Sequence, residues 1–286
     1  MPPSWTIARV LDWTRQDFAA RGIASPRLEA ELLIAATLGL PRVALYTRFD
    51  QPLKDAELTA VRALIERRRR NEPIAYILGV REFYGRPFAV NPSVLIPRPE
   101  TEDVVEAALG LLPPAADGVI VPVLDLCAGS GAIAATIACE RKDTQVDATE
   151  ISPEAAAVAR GNVEKLGVAD RVRVLQGSLY EPVGAAKYAL VVSNPPYIAA
   201  GEIATLMPDV RDFEPRLALD GGPLGDSVLT PVVQLAREHL REGGVLVVEI
   251  GADQGDRARE LAKSAGFSRV EVRRDLAGRD RILVVS

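Results

Sequence analysis

The sequence has few of the residues on which many catalytic sites and disulfide-bonded folds depend. Its 286 residues include one histidine, His239, and two cysteines, Cys127 and Cys139. Two cysteines cannot build a disulfide framework or a four-cysteine zinc site. One histidine without a cluster of other ligands makes a histidine-based triad or zinc hydrolysis a poor candidate. We expect His239, in a predicted helix over 228–240, to be a packing or surface residue.

Long hydrophobic runs are also missing. No apolar run approaches 18 residues, so the sequence predicts no membrane span. Residues 1–5 lack a basic region followed by an apolar stretch, so we expect no secretory signal. Together with the low cysteine content, this predicts a cytoplasmic protein. The length predicts one large or two modest domains, and 48% hydrophobic residues suffice for a sizeable core.

The chain has no overall excess of positive charge, but its first 80 residues have one. The net charge of −5 argues against stable nucleic-acid binding, which needs a basic surface. Residues 1–80 nevertheless carry 12 Lys or Arg and 9 Asp or Glu, a net charge of +3, which leaves −8 for the rest. Arg62 and an arginine cluster (Arg67, Arg68, Arg69 and Arg70) hold most of this excess. The cluster fits a solvated helix end whose cations complement the helix dipole, or a contact face for an acidic protein or RNA.

The first part of the chain has helical periodicity. Residues 5–20, 27–38 and 54–70 are amphipathic at helical spacing, and Pro26 and Gly39 flank the second run as start and stop signals. We predict a helical domain over 1–78 that recognises a partner. Two short aromatic-rich runs around Gly85 predict a β-hairpin linker over 79–93.

The rest of the chain alternates between strand and helix patterns. A helix predicted to end near Leu112 is followed by a Pro-rich break at 113–118, and the alternation begins at Val119. This order predicts an α/β domain over 94–286 with a doubly wound, mostly parallel sheet. The last two runs, 268–272 and 281–285, leave no room for a helix between them and predict a hairpin at one sheet edge.

A glycine-rich loop follows the first strand of this domain. Gly129 and Gly131 lie between a strand over 121–126 and a helix over 132–140, where glycine lets the backbone approach a ligand. Glu150 ends the next strand, where a carboxylate can accept both hydroxyls of a ribose. The pattern predicts an adenosine-containing ligand, either a dinucleotide or S-adenosylmethionine.

A second loop distinguishes these two ligands. Asn194, Pro195, Pro196 and Tyr197 follow a predicted strand over 188–192, so they lie at a strand's carboxyl end, where open α/β sheets bind ligands. An amide side chain, a carbonyl and an aromatic face in a stiff loop are suited to gripping a planar NH2 group. A dehydrogenase has no use for such a loop, although a Pro-rich turn of this kind also occurs with no function.

With these motifs in place, the sequence resembles the HemK/PrmC family of protein-(glutamine-N5) methyltransferases, which modify class 1 peptide chain release factors. The resemblance covers nearly the whole chain. Its segments are residues 72–79 (EPIAYILG), 83–85 (FYG), 96–102 (IPRPETE), 125–131, 193–197 and 214–222 (EPRLALDGG).

The resemblance implies a seven-stranded, Rossmann-like class I methyltransferase domain, preceded by a small all-helical domain and a hairpin linker. It implies S-adenosyl-L-methionine as cofactor, S-adenosyl-L-homocysteine as product and class 1 release factors as partners. We also expect a monomer and no metal. By family position the cofactor contacts are Cys127, Ala128, Gly129, Ser130, Gly131, Glu150, Leu179 and Asn194. The catalytic and substrate-binding residues are Asn194, Pro195, Pro196 and Tyr197.

The chain departs from the family pattern at two places. Cys127 and Ala128 stand where Gly-Thr is usual, so we expect backbone contacts to be kept and any threonine hydroxyl bond to be lost. Leu179 stands where some relatives carry an aromatic residue, so it can cover an adenine face without stacking.

Four other functions are compatible with parts of the sequence. A glutamine methyltransferase of a large-subunit ribosomal protein shares the 194–197 motif, but the 96–102 segment favours release factors. An adenine-N6 DNA methyltransferase needs base extrusion and a phosphate-binding surface, which an acidic catalytic half does not favour. A nicotinamide-binding protein and a non-catalytic binder of a translation factor come from other classes, and the 194–197 loop argues against both.

Overall fold

The computed structural model of the protein describes residues 5–116, 118–275 and 277–286. Residues 1–4 lie outside the described residues; they belong to the predicted helical domain and to the region of the signal-peptide prediction. Asp117, in the predicted Pro-rich break, lies outside them as well. No helix in the described ranges is long and apolar enough to cross a membrane.

The described chain is helical at first and then alternates between strands and helices. The helices are α1 (Ile7–Ala20), α2 (Pro26–Leu38), α3 (Ala44–Thr47), α4 (Asp55–Arg69), α5 (Ile74–Leu78), α6 (Pro99–Leu111), α7 (Ala132–Glu140), α8 (Pro153–Lys165), α9 (Pro208–Phe213), α10 (Leu229–His239) and α11 (Gly255–Ser264). The strands are β1 (Val80–Phe83), β2 (Arg86–Ala89), β3 (Val121–Leu126), β4 (Thr144–Glu150), β5 (Val172–Gln176), β6 (Tyr188–Ser193), β7 (Leu240–Glu249), β8 (Val270–Arg274) and β9 (Asp280–Val285). Short 3₁₀ turns occur at Glu181–Val183, Ile203–Thr205 and Arg216–Ala218.

The chain forms two compact units. The helical unit contains the described residues up to Gly79 together with α9, and the sheet unit contains Val80–Met207 and Glu214–Ser286. The domain limits at 1–78, 79–93 and 94–286 stay a prediction.

The helical unit forms because local signals delimit amphipathic helices. The Thr6 side chain accepts a hydrogen bond from the Arg9 N–H and caps α1, while Pro26 begins α2. Gly39 ends α2 in the left-handed region at φ +62°, which glycine adopts without strain. The three helices predicted here are confirmed to within two residues at each end.

The arginine cluster is largely neutralised inside the helical unit. Arg67 pairs with Glu72, Arg68 with Glu29, Arg69 with Asp17 and Glu66, and Arg70 with Glu66. The Arg69 guanidinium also lies 5.2 Å from the centre of the Trp13 ring. The side chains of Arg68 and Arg69 are 8% and 25% exposed in these ion pairs, whereas that of Arg70 is 74% exposed. Pairing therefore accounts for most of the cluster, and Arg70 stays open to solvent.

The predicted hairpin is confirmed as β1 and β2, which pair antiparallel in the sheet unit. Its two rings, Phe83 and Phe88, pack edge to face at 5.9 Å in the hydrophobic core. Asn162 on α8 accepts from the Ala89 N–H and donates to both the Ala89 and the Ser130 carbonyl oxygens. One buried amide therefore ties the hairpin to the glycine-rich loop.

The main sheet has seven strands in the order β5-β4-β3-β6-β7-β9-β8. Neighbours from β5 to β7 pair parallel, whereas β9 pairs antiparallel with β7 and β8. The predicted doubly wound sheet and edge hairpin are both confirmed. The chain runs outward from β3 to β5 and returns to β6 on the other side of β3, so the carboxyl ends of β3 and β6 flank the point where the strand order reverses.

Candidate active site

A cavity of about 590 Å³ opens at the carboxyl ends of β3, β4 and β6, within the size range of small-molecule sites. Its walls come from the glycine-rich loop, the end of β4, the 177–179 loop and the 194–197 loop. Segments at 93–101 and 215–231 complete them. The sheet topology thus gathers residues distant in sequence around one ligand-sized space.

The glycine-rich loop turns tightly because several of its residues have left-handed backbone angles. Cys127, Gly129 and Gly131 have φ values of +60°, +54° and +77°. A Cβ on Gly131 would lie 3.2 Å from the Ala159 Cβ, so glycine also permits the close approach of α7 to α8. Cys127 holds an L side chain in a conformation that favours glycine, which gives a physical reason for glycine at this place in the family pattern.

The carboxylate of Glu150 closes one side of the cavity. One oxygen, Oε2, accepts from the Gly129 N–H at 2.8 Å, and Oε1 accepts from the Ser152 N–H at 2.9 Å. Each carboxylate oxygen has more than one lone pair, so both keep capacity for a further donor. Backbone hydrogen bonds therefore fix the Glu150 carboxylate at the cavity wall and leave both of its oxygens able to accept a further hydrogen bond.

On the opposite side, Asn194 is the first of a chain of hydrogen-bonded side chains. Its Nδ2 donates to Thr101 Oγ1 at 3.1 Å, and Thr101 donates to Glu249 Oε2 at 2.7 Å. The Tyr197 hydroxyl donates to the other oxygen of Glu249 at 3.2 Å. Thr101 lies in the first turn of α6 and Glu249 ends β7, so two further elements support the 194–197 loop.

Burial changes the acidity of several groups near the cavity. It raises the pKa of Asp125, at the end of β3, to about 8, although a hydrogen bond from the Ala134 N–H opposes the rise. It raises the pKa of the Cys127 thiol to about 12, so this thiol stays protonated at neutral pH and is a poor nucleophile. Burial also raises the pKa of Glu249, against hydrogen bonds from Thr101 and Tyr197 and the charge of Arg281.

The structure brings most of the predicted site residues to this cavity. Those that line it are Cys127, Ala128, Gly129, Ser130, Glu150, Leu179, Asn194 and Pro196. The walls formed by the described residues do not include Gly131, Pro195 or Tyr197. Gly131 caps α7, Pro195 is buried, and Tyr197 is partly buried with its hydroxyl on Glu249.

Three polar residues near the cavity have a place in the site that the sequence motifs did not predict. Arg98 lines the cavity and donates to Glu214, while Thr101 and Glu249 support the loop as described above. Glu249 could have been suspected from its position, because it ends a buried strand next to β6. His239 stacks on Tyr180 at 4.3 Å and is buried, which confirms a packing role.

Comparisons with known proteins agree with this architecture. Residues 9–79 match the family model of the PrmC N-terminal domain, and residues 110–209 match that of the methyltransferase small domain. The chain is 46% identical to a release factor glutamine methyltransferase of Geobacter sulfurreducens over 99% of this chain and 97% of that protein. It is 39% identical to one of Rhodopirellula baltica over 98% of this chain and 95% of that protein.

Solved structures support the fold alone. The hMettl16 catalytic domain superposes with a TM-score of 0.56 at 16% identity and covers 82% of each chain. The release factor glutamine methyltransferases of Geobacter sulfurreducens and Rhodopirellula baltica, by contrast, align with this chain along almost its full length and almost the full length of their own chains. The predicted resemblance and the predicted methyltransferase fold are confirmed, and the chain belongs to the release factor glutamine methyltransferase family.

Proposed function

We propose that the protein transfers a methyl group from S-adenosylmethionine to the side-chain amide nitrogen, N5, of the glutamine in the Gly-Gly-Gln motif of class 1 release factors. The observation that carries this proposal is the position of Asn194. It shares one cavity with Glu150 and the glycine-rich loop. An amide that can hold an NH2 group therefore lies beside residues that can hold an adenosine.

The cavity fits S-adenosylmethionine on two counts. Glu150 is oriented by two backbone N–H groups and keeps acceptor capacity for both ribose hydroxyls. A Cβ on Gly129 would meet no atom within 4 Å, so the loop backbone is open to a ligand there. Bound there, S-adenosylmethionine supplies an electrophilic methyl group on a sulfonium. We assign its contacts to Cys127, Ala128, Gly129, Ser130, Gly131, Glu150, Leu179 and Asn194.

The 194–197 loop would orient the substrate amide. A glutamine nitrogen is a poor nucleophile because its lone pair is delocalised into the carbonyl. The Asn194 side-chain oxygen and the Pro195 carbonyl would each accept one hydrogen bond from the substrate NH2, and Tyr197 would pack on the planar amide. Alignment of this kind contributes roughly 7–11 kcal/mol in the best intramolecular models.

The same acceptors favour the transition state over the ground state. Positive charge develops on the nitrogen only as the new bond forms, and fixed dipoles already point at it. Pro195 and Pro196 fix φ and stiffen the loop, so little reorganisation is needed. No general base needs to act first, because the nitrogen becomes more acidic after methyl transfer.

Charge distribution favours a protein substrate over a nucleic acid. Residues 81–286 carry 22 Lys or Arg and 30 Asp or Glu, a net charge of −8, which is unfavourable for binding a phosphate backbone. We assign release-factor recognition to the predicted helical domain over 1–78. The predicted hairpin linker over 79–93 would join it to the methyltransferase domain over 94–286.

Mass spectrometry of a class 1 release factor after incubation with the protein and S-adenosylmethionine tests the proposal. One added methyl on the Gly-Gly-Gln glutamine is expected, and none on a release factor whose glutamine is replaced by alanine. Asn194→Ala should fold and still bind the cofactor through the seven other assigned contacts, but it should transfer at least about 100-fold more slowly. Methylation elsewhere, or wild-type rates in Asn194→Ala, would contradict the substrate or the mechanism respectively.

A further inference from the structure

The strongest unassigned feature of the site is the pair of buried side chains behind Asn194. Thr101 is 4% exposed and Glu249 is 1% exposed, and they come from α6 and β7. The Thr101 hydroxyl lies between the two other groups, accepting from Asn194 Nδ2 and donating to Glu249 Oε2. A hydroxyl and a carboxylate buried this deeply need a reason, because an apolar packing of equal volume would avoid their desolvation.

When Glu249 is ionised, these hydrogen bonds have a single consistent direction. An ionised carboxylate can only accept, so the one proton of the Thr101 hydroxyl is committed to Glu249. The hydroxyl then presents lone pairs to Asn194, and only the NH2 half of the amide can meet them. Asn194 Oδ1 is therefore the half left for another donor, on a residue that lines the cavity.

The same carboxylate also holds the far end of the loop. Glu249 Oε1 accepts from the Tyr197 hydroxyl, so Asn194 and Tyr197 are tied to one fixed group. Arg281 favours the ionised state of Glu249, while burial disfavours it. In the ionised state the carboxylate sets the direction of both hydrogen bonds.

We propose that Thr101 and Glu249 are positioning residues that fix the orientation of the Asn194 amide so that its oxygen, and not its NH2 group, faces the acceptor amide. This inference rests on the proposed function, because the orientation matters only when the ligand is a hydrogen-bond donor. An amide turned by 180° would present its NH2 group to the substrate NH2 group, and two donors cannot pair.

Thr101→Val tests the proposal, since valine keeps the volume and removes the hydroxyl. We expect the kcat of this variant to fall about tenfold with cofactor affinity unchanged. Thr101→Ser keeps the hydroxyl and should retain at least about half of wild-type kcat. Wild-type kcat in Thr101→Val, or equal losses in valine and serine variants, would overturn the proposal.

A second measurement does not depend on the reaction. The Asn194 side-chain NH2, assigned by NMR through its loss in Asn194→Ala, should exchange slowly with solvent in wild type and Thr101→Ser and faster in Thr101→Val. Equal exchange rates of this NH2 group in wild type, Thr101→Ser and Thr101→Val would overturn the proposal. A wild-type protein that methylates no release factor instead refutes the proposed function, and the exchange rates still decide the orientation.

Glu249→Gln provides a second variant if Thr101→Val does not fold. A glutamine there can donate to the Thr101 hydroxyl, which can then donate to Asn194 Oδ1, so the direction is no longer fixed. We expect a several-fold lower kcat with unchanged cofactor affinity and faster exchange of the Asn194 NH2. Wild-type kcat and exchange in this variant would overturn the proposal.

Discussion

Asp125 should make the protein less stable as pH rises, and Asp125→Asn should remove this effect. The side chain is fully buried at the end of β3, and Oδ2 accepts from the Ala134 N–H at 3.0 Å. Burial raises its pKa from 3.8 to about 8. Between these values the folded protein holds a proton that the unfolded chain releases. The contribution to stability is therefore fully present below 3.8 and is lost as pH rises through about 8.

The size of the effect follows from proton linkage. One proton held only by the folded state changes the free energy of unfolding by about 1.36 kcal/mol per pH unit. Between pH 5 and pH 7 the wild type should lose about 2–3 kcal/mol through Asp125. Asparagine cannot ionise, so the variant lacks this slope and gains stability relative to wild type over the same interval.

Urea unfolding of both proteins at pH 5, 6 and 7, without cofactor, measures the difference. The other titrating groups are common to the wild type and the variant, so their contributions cancel when the two free energies of unfolding are subtracted. Asp143→Asn is a matched control, because hydrogen bonds from Arg141 lower the pKa of Asp143 and it is ionised in both states across this range. The control should show no pH-dependent difference. If the difference in the free energy of unfolding between Asp125→Asn and wild type is the same at all three pH values, the reasoning is refuted.

Two further predictions concern hydrogen bonds around the cavity. Glu150→Gln replaces one carboxylate oxygen with an NH2 group, which would face one of the two backbone N–H donors, and it removes one acceptor for the ribose. The Kd for S-adenosylmethionine, measured by calorimetry, should therefore rise roughly 10- to 100-fold. Glu154→Gln, on the same wall, should leave it unchanged, and equal affinities for both would remove the ribose role. Asn162→Asp places carboxylate oxygens against the Ala89 and Ser130 carbonyls and should lower the free energy of unfolding by about 2–3 kcal/mol in a urea titration. Wild-type stability at neutral pH would show that this amide does not hold the hairpin to the loop.

Elements with several turns of clear periodicity could be predicted from the sequence, and short ones could not. Helices α3, α5 and α9 have only four to six residues each, too few to show a repeating apolar face. The apolar run that marks strand β7 in the sequence starts at Val245, whereas the strand itself begins five residues earlier, at Leu240. Polar residues and two glycines obscure this extension, and it pairs with β6 through an irregularity next to Tyr188.

Some residues of the candidate site could likewise be predicted from the sequence, and others could not. Glu150 and Asn194 could be predicted because Glu150 ends a buried strand and Asn194 directly follows one, and the carboxyl ends of parallel strands meet at one sheet edge. The supporting role of Thr101 could not, because its bond to Glu249 joins residues 148 positions apart. No local pattern encodes such a pair. Only the packing of α6 near the end of β7 brings it together.

The sheet itself sets the spacing between the two halves of the site. The glycine-rich loop follows β3 and the 194–197 loop follows β6, and these neighbouring strands end in register, with Leu126 opposite Ser193. The Ser193 hydroxyl donates to the Leu126 carbonyl oxygen at 2.9 Å and fastens the two ends together. Methyl transfer demands that donor and acceptor approach in line at a fixed separation. If the two loops hold the methyl donor and acceptor as proposed, this strand pair holds that separation better than two independent loops would.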